Sequence, residues 1–120
     1  MPNPFAYAEL HTQNPSAAKD FYRRLLDWKM TDAATPGGSY TEIEPGDGIA
    51  AGLVRSANDN APSHWLPYIG VTDLVASSAK AKELGARALR EMVPVPDLGR
   101  YSVFSDPTGA LFGLWEKTRV

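Results

Sequence analysis

With 120 residues, no cysteine and a formal net charge of −2 scattered over both signs, the chain has no means for disulfide staples, thiolate chemistry or cysteine-held metal. It lacks the basic footprint of a nucleic-acid binder, and no apolar run approaches the ~18 residues that cross a bilayer. Its 43% hydrophobic and 22% charged content predicts one globular domain with its own core. Residues 5–12 alternate loosely and read as a strand, with Tyr7, Glu9 and His11 on one face and Ala6, Ala8 and Leu10 on the other. Asn14 and Pro15 then start a helix, Asn as cap and Pro at the first helical position. Its stripe is Ala18, Phe21, Tyr22, Leu25 and Leu26. Residues 28–31 read as a short strand closed by turn residues 35–38. Strands at 40–44 and 49–55 flank a tight turn, Pro45-Gly-Asp-Gly48. Residues 56–63 are polar and unpatterned, a linker. The order then repeats: a strand at 65–72, a helix from the cap Asp73 to about residue 84, and Gly85 at its C-terminal cap. A strand at 86–91 and a loop at 94–99 follow. A hairpin, 101–104 with 111–116, closes the chain around Asp106-Pro-Thr-Gly109.

The repetition is also visible residue by residue. Set residues 39–54 against 100–115 without gaps, and Tyr40 meets Tyr101, Gly48 meets Gly109, Gly52 meets Gly113 and Leu53 meets Leu114. Four identities in 16 positions compare with roughly one expected from ordinary composition, which is the mark of an internal duplication. The hairpins are offset by 61 residues but the caps Asn14 and Asp73 by 59, so the second copy gains two residues between helix and hairpin. The predicted fold is α+β: two βαβββ modules in pseudo-twofold repeat, about 4–56 and 64–117, forming a curved mixed sheet around a cavity. Each helix covers one face of its sheet, and the hollow on the other face is the default binding site.

Two βαβββ copies in a chain of this length resemble the vicinal oxygen chelate superfamily, which includes glyoxalase I, extradiol dioxygenases, and bleomycin- and fosfomycin-resistance proteins. Ala18-Lys-Asp-Phe-Tyr22 and Asp106-Pro-Thr-Gly109 are similar to its common signatures. Glu9-Leu-His-Thr-Gln-Asn-Pro15, His64-Trp-Leu-Pro-Tyr68 and Gly99-Arg-Tyr101 resemble a glyoxalase-related subgroup. The resemblance implies a divalent ion held by His (or Gln), Glu, His and Glu from the first and last strand of each module. Counted from the caps and turn glycines, those positions fall on Tyr7, Gly52, Leu66 and Gly113. None carries a usual donor side chain, so neither metal nor other cofactor is expected.

Face counting places Tyr7, Glu9, His11, Gly52, Leu66, Tyr68, Leu111, Gly113 and Trp115 toward the hollow, with Arg100 added as a candidate for anionic ligands. The glycines are expected to leave room, and the aromatic residues to supply flat walls. Glu9 and His11, two apart on one strand face, are the candidate catalytic pair, because a carboxylate orients an imidazole for acid/base work. Their plainer role is a polar pair lining a wet cavity. A relocated metal would need His64, Glu42 or Glu116 beside them. The expected partners are a small, partly apolar molecule and a second copy of the chain, with no nucleic acid and no membrane. The opening Met-Pro-Asn-Pro-Phe5 lacks the pattern of a secretory signal, and a cytoplasmic protein is the expectation.

Overall fold

The computed structural model describes residues 2–35, 38–57 and 60–118. Among them run β1 (Phe5–Thr12), α1 (Pro15–Leu25), β2 (Lys29–Thr35), β3 (Gly38–Glu44) and β4 (Ala50–Arg55), then β5 (His64–Gly70), α2 (Leu74–Glu83), β6 (Arg87–Val95), β7 (Gly99–Ser105) and β8 (Leu111–Lys117). The fold is therefore α+β, built from two βαβββ modules. Residues Tyr7–Leu66 form one compact unit, and the remaining described residues form the other.

In the first unit the strands lie in the order β2-β3-β4-β1. β1 and β4 are parallel, and β2, β3 and β4 antiparallel. The side chain of Asn14 accepts a hydrogen bond from the Ala17 amide (3.1 Å), with Pro15 opening the helix. Ala18 and Tyr22 pack on Leu10, Ile43, Ala51 and Leu53. The rest of the predicted stripe stays out: Phe21 is 57% and Leu25 61% exposed. The space beside the helix is taken by aromatic rings instead. Tyr22 stacks on Trp28 at 5.4 Å, and Trp65 meets both edge-on. A second tie fastens α1 to β2. Asp32 accepts from the Thr41 hydroxyl (2.7 Å) and pairs with Lys19 (3.2 Å), which together hold its carboxyl below the usual range, the Thr41 bond most of all. The β3–β4 connection spans residues 45–49, one longer than the four-residue turn expected. Gly46 and Gly48 supply its positive φ angles. Residues 36–37 of the predicted turn and 58–59 of the predicted linker lie outside the described residues.

In the second unit the order is β5-β8-β7-β6. Leu74, Phe104 and Leu114 form its core, joined by Ala81, Ala88 and Met92. Asp73 caps α2 by accepting from the Ala76 amide (3.1 Å), and Gly85 ends it at φ +103°. The closing turn is held by Asp106, whose carboxylate accepts from the Thr108 hydroxyl (2.7 Å) and from the Thr108 and Ala110 amides. β6 runs to Val95, well past the expected end at residue 91, and the loop shrinks to 96–98. Pro94 did not stop it because β6 is the last strand in the order, where a missing N–H is tolerated.

Candidate functional site

β1 and β4 are neighbours in parallel register, with Glu9 beside Gly52 and His11 beside Val54. β3 continues the row, Tyr40 beside Val54 and Glu42 beside Gly52. Because side chains alternate across a strand, Tyr7, Glu9, His11, Gly52 and Tyr40 share the face turned away from the Leu10–Ile43–Leu53 core and from α1. There they make one connected polar group. Tyr40 donates its hydroxyl hydrogen to Glu9 Oε2 (2.7 Å). That hydrogen being committed, the 2.6 Å contact between the two tyrosine hydroxyls is Tyr7 donating to Tyr40. The direction of the chain is thus Tyr7 to Tyr40 to Glu9. Burial above all, aided by the charges of Glu9 and Glu42, pushes the Tyr7 phenol up to about 12. Burial and the Glu9 charge drive Tyr40 further in the same direction.

On the far side of the carboxylate, His11 Nε2 lies 2.8 Å from Glu9 Oε1. It is nonetheless buried without a hydrogen-bond partner among the described residues. The contact is close but does not have the geometry of a hydrogen bond. The His11 ring stacks on His64, centroids 5.2 Å apart and planes within 3°. His64 Nδ1 sits 2.9 Å from the Pro62 carbonyl, which assigns the proton to that nitrogen, since a carbonyl can only accept. The candidate pair Glu9–His11 is thus assembled, with Tyr40 and His64 completing it. Tyr40 was missed as a site residue. The signal was present in the repeat identity with Tyr101 and in the β3 alternation opposite Gly52.

The glycines do not leave room. A Cβ on Gly52 would collide with the Tyr40 and Tyr7 hydroxyls, and one on Gly113 with the Tyr68 ring. At each glycine a neighbouring tyrosine lies where a side chain would project. Leu66 is buried at 2% exposure. In the second unit, Tyr68 sits beside Gly113 and meets Tyr101 edge-on at 5.6 Å. Trp115 pairs with Tyr101 in register, and Leu111 ends the same row, 36% exposed.

Arg100 does not join them. It alternates with Tyr101 along β7 and so points to the α2 face, where its Nε donates to Glu116 Oε1 at 2.6 Å. Glu116 Oε2 in turn accepts from the Leu74 amide (2.8 Å) at the start of α2. Strand parity, applied to Arg100 as it was to its neighbours, separates both residues from the tyrosine row. The pair borders a separate hollow of about 520 Å³ beside Thr72, Asp73 and Pro94.

A family model described as Glyoxalase/Bleomycin resistance protein/Dioxygenase superfamily matches residues 5–114. The chain belongs to this superfamily. It is 32% identical over 107 residues to "Putative glyoxylase CFP32" of Mycobacterium tuberculosis, covering 88% of the chain and 41% of that protein. It is 28% identical over 127 residues to "Anthracycline biosynthesis protein DnrV" of Streptomyces peucetius, covering 93% and 46% respectively. The chain therefore spans less than half the length of these curated relatives. Among solved structures, a hypothetical protein, BH1468, from Bacillus halodurans C-125 superposes with a TM-score of 0.73 at 17% identity, over 100% of this chain and 98% of that one. Methylmalonyl-CoA epimerase from Mycobacterium tuberculosis superposes with a TM-score of 0.69 at 15% identity, over 96% and 88%. At those identities the structures share the fold.

The superfamily's metal can be tested against the side chains at its positions. Tyr7 is bonded to Tyr40, Leu66 is apolar, and Gly52 and Gly113 have tyrosines where a carboxylate would project. None of the four positions carries a usual side-chain donor for a divalent ion. Elsewhere among the described residues, no three His, Asp or Glu side chains converge as a metal site.

Proposed function

We propose that this protein is a small-molecule-binding member of the glyoxalase/bleomycin-resistance superfamily that works without the superfamily's usual metal. The observation that carries the reading is the filling of the Gly52 and Gly113 positions by Tyr7, Tyr40 and Tyr68. In the reading, both modules belong to a single domain, and small molecules lie against the helix-free face of each. On the first module Tyr7 offers a flat wall and Glu9 with His11 a polar end; on the second, Tyr101 and Trp115 offer flat apolar walls. The test is tryptophan fluorescence titration with a panel of flat apolar and charged compounds, run on protein dialysed against a chelator and again with Zn²⁺, Mn²⁺, Ni²⁺ or Fe²⁺ restored. Equal affinities in both conditions support the reading. Stoichiometric metal in the undialysed protein, with binding lost on its removal, overturns it.

A second reading is favoured by Glu9 standing between the Tyr40 hydroxyl and His11. A carboxylate so placed suits proton transfer in a lyase or isomerase, with His11 as partner. Turnover of any substrate that survives Glu9→Gln removes this version. A homodimer also belongs to the proposal, supported by the exposed Phe21, Leu25 and Trp65 around α1. Light scattering on the wild type and on Leu25→Glu reads it directly: a monomer in both cases excludes that interface.

A further inference from the structure

The two modules differ at one place that their shared fold does not require. β2 and β3 pair without interruption from Lys29 with Glu44 to Thr35 with Gly38. β6 instead bulges twice against β7, between Ala88 and Arg90 and again between Arg90 and Val93. Along the repeat, Lys29 corresponds to Arg87 and Thr35 to Val95, so the offset grows from 58 to 60 within this one strand. Two inserted residues are thus spent on the bulges.

Their effect falls on Arg90. An unbroken ladder from Ala88–Phe104 would set Arg90 opposite Ser102, which is buried against Ser78 of α2. The first bulge sets it opposite Val103 instead, on the face of Tyr101 and away from α2. The second turns Met92 into the α2 core, at φ 52°, where its amide donates to Ser102 Oγ (3.2 Å). It also returns Val93 to register opposite Tyr101. Positive φ is disfavoured for a residue with a side chain, and such strain gathers where a side chain must be re-aimed. An edge strand gains protection from any bulge, but protection alone does not require a cation over a ring. The Arg90 guanidinium carbon stands 5.7 Å from the Tyr101 ring centroid. Tyr68 meets the same ring edge-on, and Trp115 is its cross-strand neighbour. Arg90 is exposed, and among the described residues no carboxylate lies within ion-pair distance of it.

We infer that Arg90, held over Tyr101 beside Tyr68 and Trp115, is an anion-recognition subsite for a carboxylate carried on a flat aromatic group. The inference rests on the reading above that the helix-free faces bind small molecules, and adds the charge and shape of what the second module takes. The guanidinium fork matches a carboxylate with two parallel N–H donors. The ring beneath it orients the fork, and the part-exposed Tyr101 and Trp115 receive the ligand's flat part.

The probes are naphthalene-2-carboxylate and its neutral isostere naphthalene-2-carboxamide, titrated by NMR with the Arg90 Nε–H and the amides of residues 90 and 101 as reporters. On the wild type the carboxylate binds about tenfold more tightly than the amide, the size of one charge-assisted contact, and moves the Arg90 Nε–H. Arg90→Gln reduces carboxylate affinity about tenfold and abolishes the preference for the carboxylate over the carboxamide. Arg90→Lys recovers only part, for want of the fork. Equal binding of the two probes, or an Arg90→Gln variant with unchanged carboxylate affinity, overturns the subsite and leaves the binding reading standing. Shifts confined to the Tyr7–Glu9–His11 face do the same. If neither probe nor any compound of the wider panel moves a residue on either face, both readings fall.

Discussion

Gly52→Ala separates two opposite expectations about a single methyl group. The Gly52 backbone is outside the left-handed region, so alanine is unstrained there, and reduced chain entropy alone favours it by about 0.5–1 kcal/mol. The space argues the other way. The new Cβ would meet the Tyr40 hydroxyl, the Tyr7 hydroxyl and Tyr40 Cζ, in a sheet whose backbone cannot retreat from its neighbours on both sides. Overpacking of this kind costs about 1–3 kcal/mol. Displacing Tyr40 also disturbs its bond to Glu9, a charged acceptor worth about 1.5–3 kcal/mol. The terms overlap, and the expected net loss is about 3 kcal/mol, a fall in Tm of roughly 10 °C for a domain of this size. Urea unfolding reads it as a lower midpoint at constant slope. A double-mutant cycle with Tyr40→Phe locates the cause. With the nearest clashing atom removed, the cost of alanine should fall by about 1 kcal/mol or more. A Gly52→Ala protein as stable as the wild type, or strict additivity with Tyr40→Phe, would refute the claim that tyrosine hydroxyls fill this position.

Further expectations follow from the same geometry. Tyr7 in the folded protein holds its proton up to about 12, above the ~10 of an unfolded phenol. Its contribution to stability is therefore complete below pH ~10 and is lost as pH rises toward 12; absorbance titration near 295 nm should show a late-ionising tyrosine, and Tyr7→Phe should flatten the alkaline decline in Tm. Asp32 is shifted down by its Thr41 and Lys19 partners, so its contribution is present above the unfolded carboxyl pKa and lost as pH falls through the folded value. Asp32→Asn should flatten the acid limb of the Tm profile below pH ~4. Ser102 is fully buried and serves both Ser78 and the Met92 amide. Ser102→Ala should cost about 1–3 kcal/mol through the unsatisfied groups and speed hydrogen exchange at Met92, an effect absent if the bulge is held by packing alone. Arg100→Met should lower Tm and leave ligand affinity unchanged, since Arg100 is tied to Glu116 on the α2 face; a loss of affinity would return it to the binding face.

The sequence alone was enough for the modular fold, because its signals are local. A cap residue, a glycine at a helix end and the alternation of a strand are each decided within a few residues, and Asn14, Asp73, Gly85 and β1 stand as they were read. Duplication extended that reading, since the echo of residues 39–54 in 100–115 repeats the hairpin as a unit. The same alternation placed Tyr7, Glu9, His11 and Gly52 on one face, and would have excluded Arg100 had it been applied there.

What only the tertiary structure decided depends on where long side chains end and on how two strands slip past each other. A glycine in a sequence reads as empty space, yet the volume beside Gly52 and Gly113 belongs to tyrosines 12 and 45 residues away along the chain. An amphipathic stripe reads as buried, yet Phe21 and Leu25 stay exposed while the rings of Tyr22, Trp28 and Trp65 pack against one another. The two residues gained by the second module could be counted but not placed, since a bulge leaves composition and local propensity unchanged. Its consequence, Arg90 moved from one face of the sheet to the other, exists only in the register between β6 and β7. Face assignment from sequence assumes an unbroken ladder, and in this strand the ladder is broken twice.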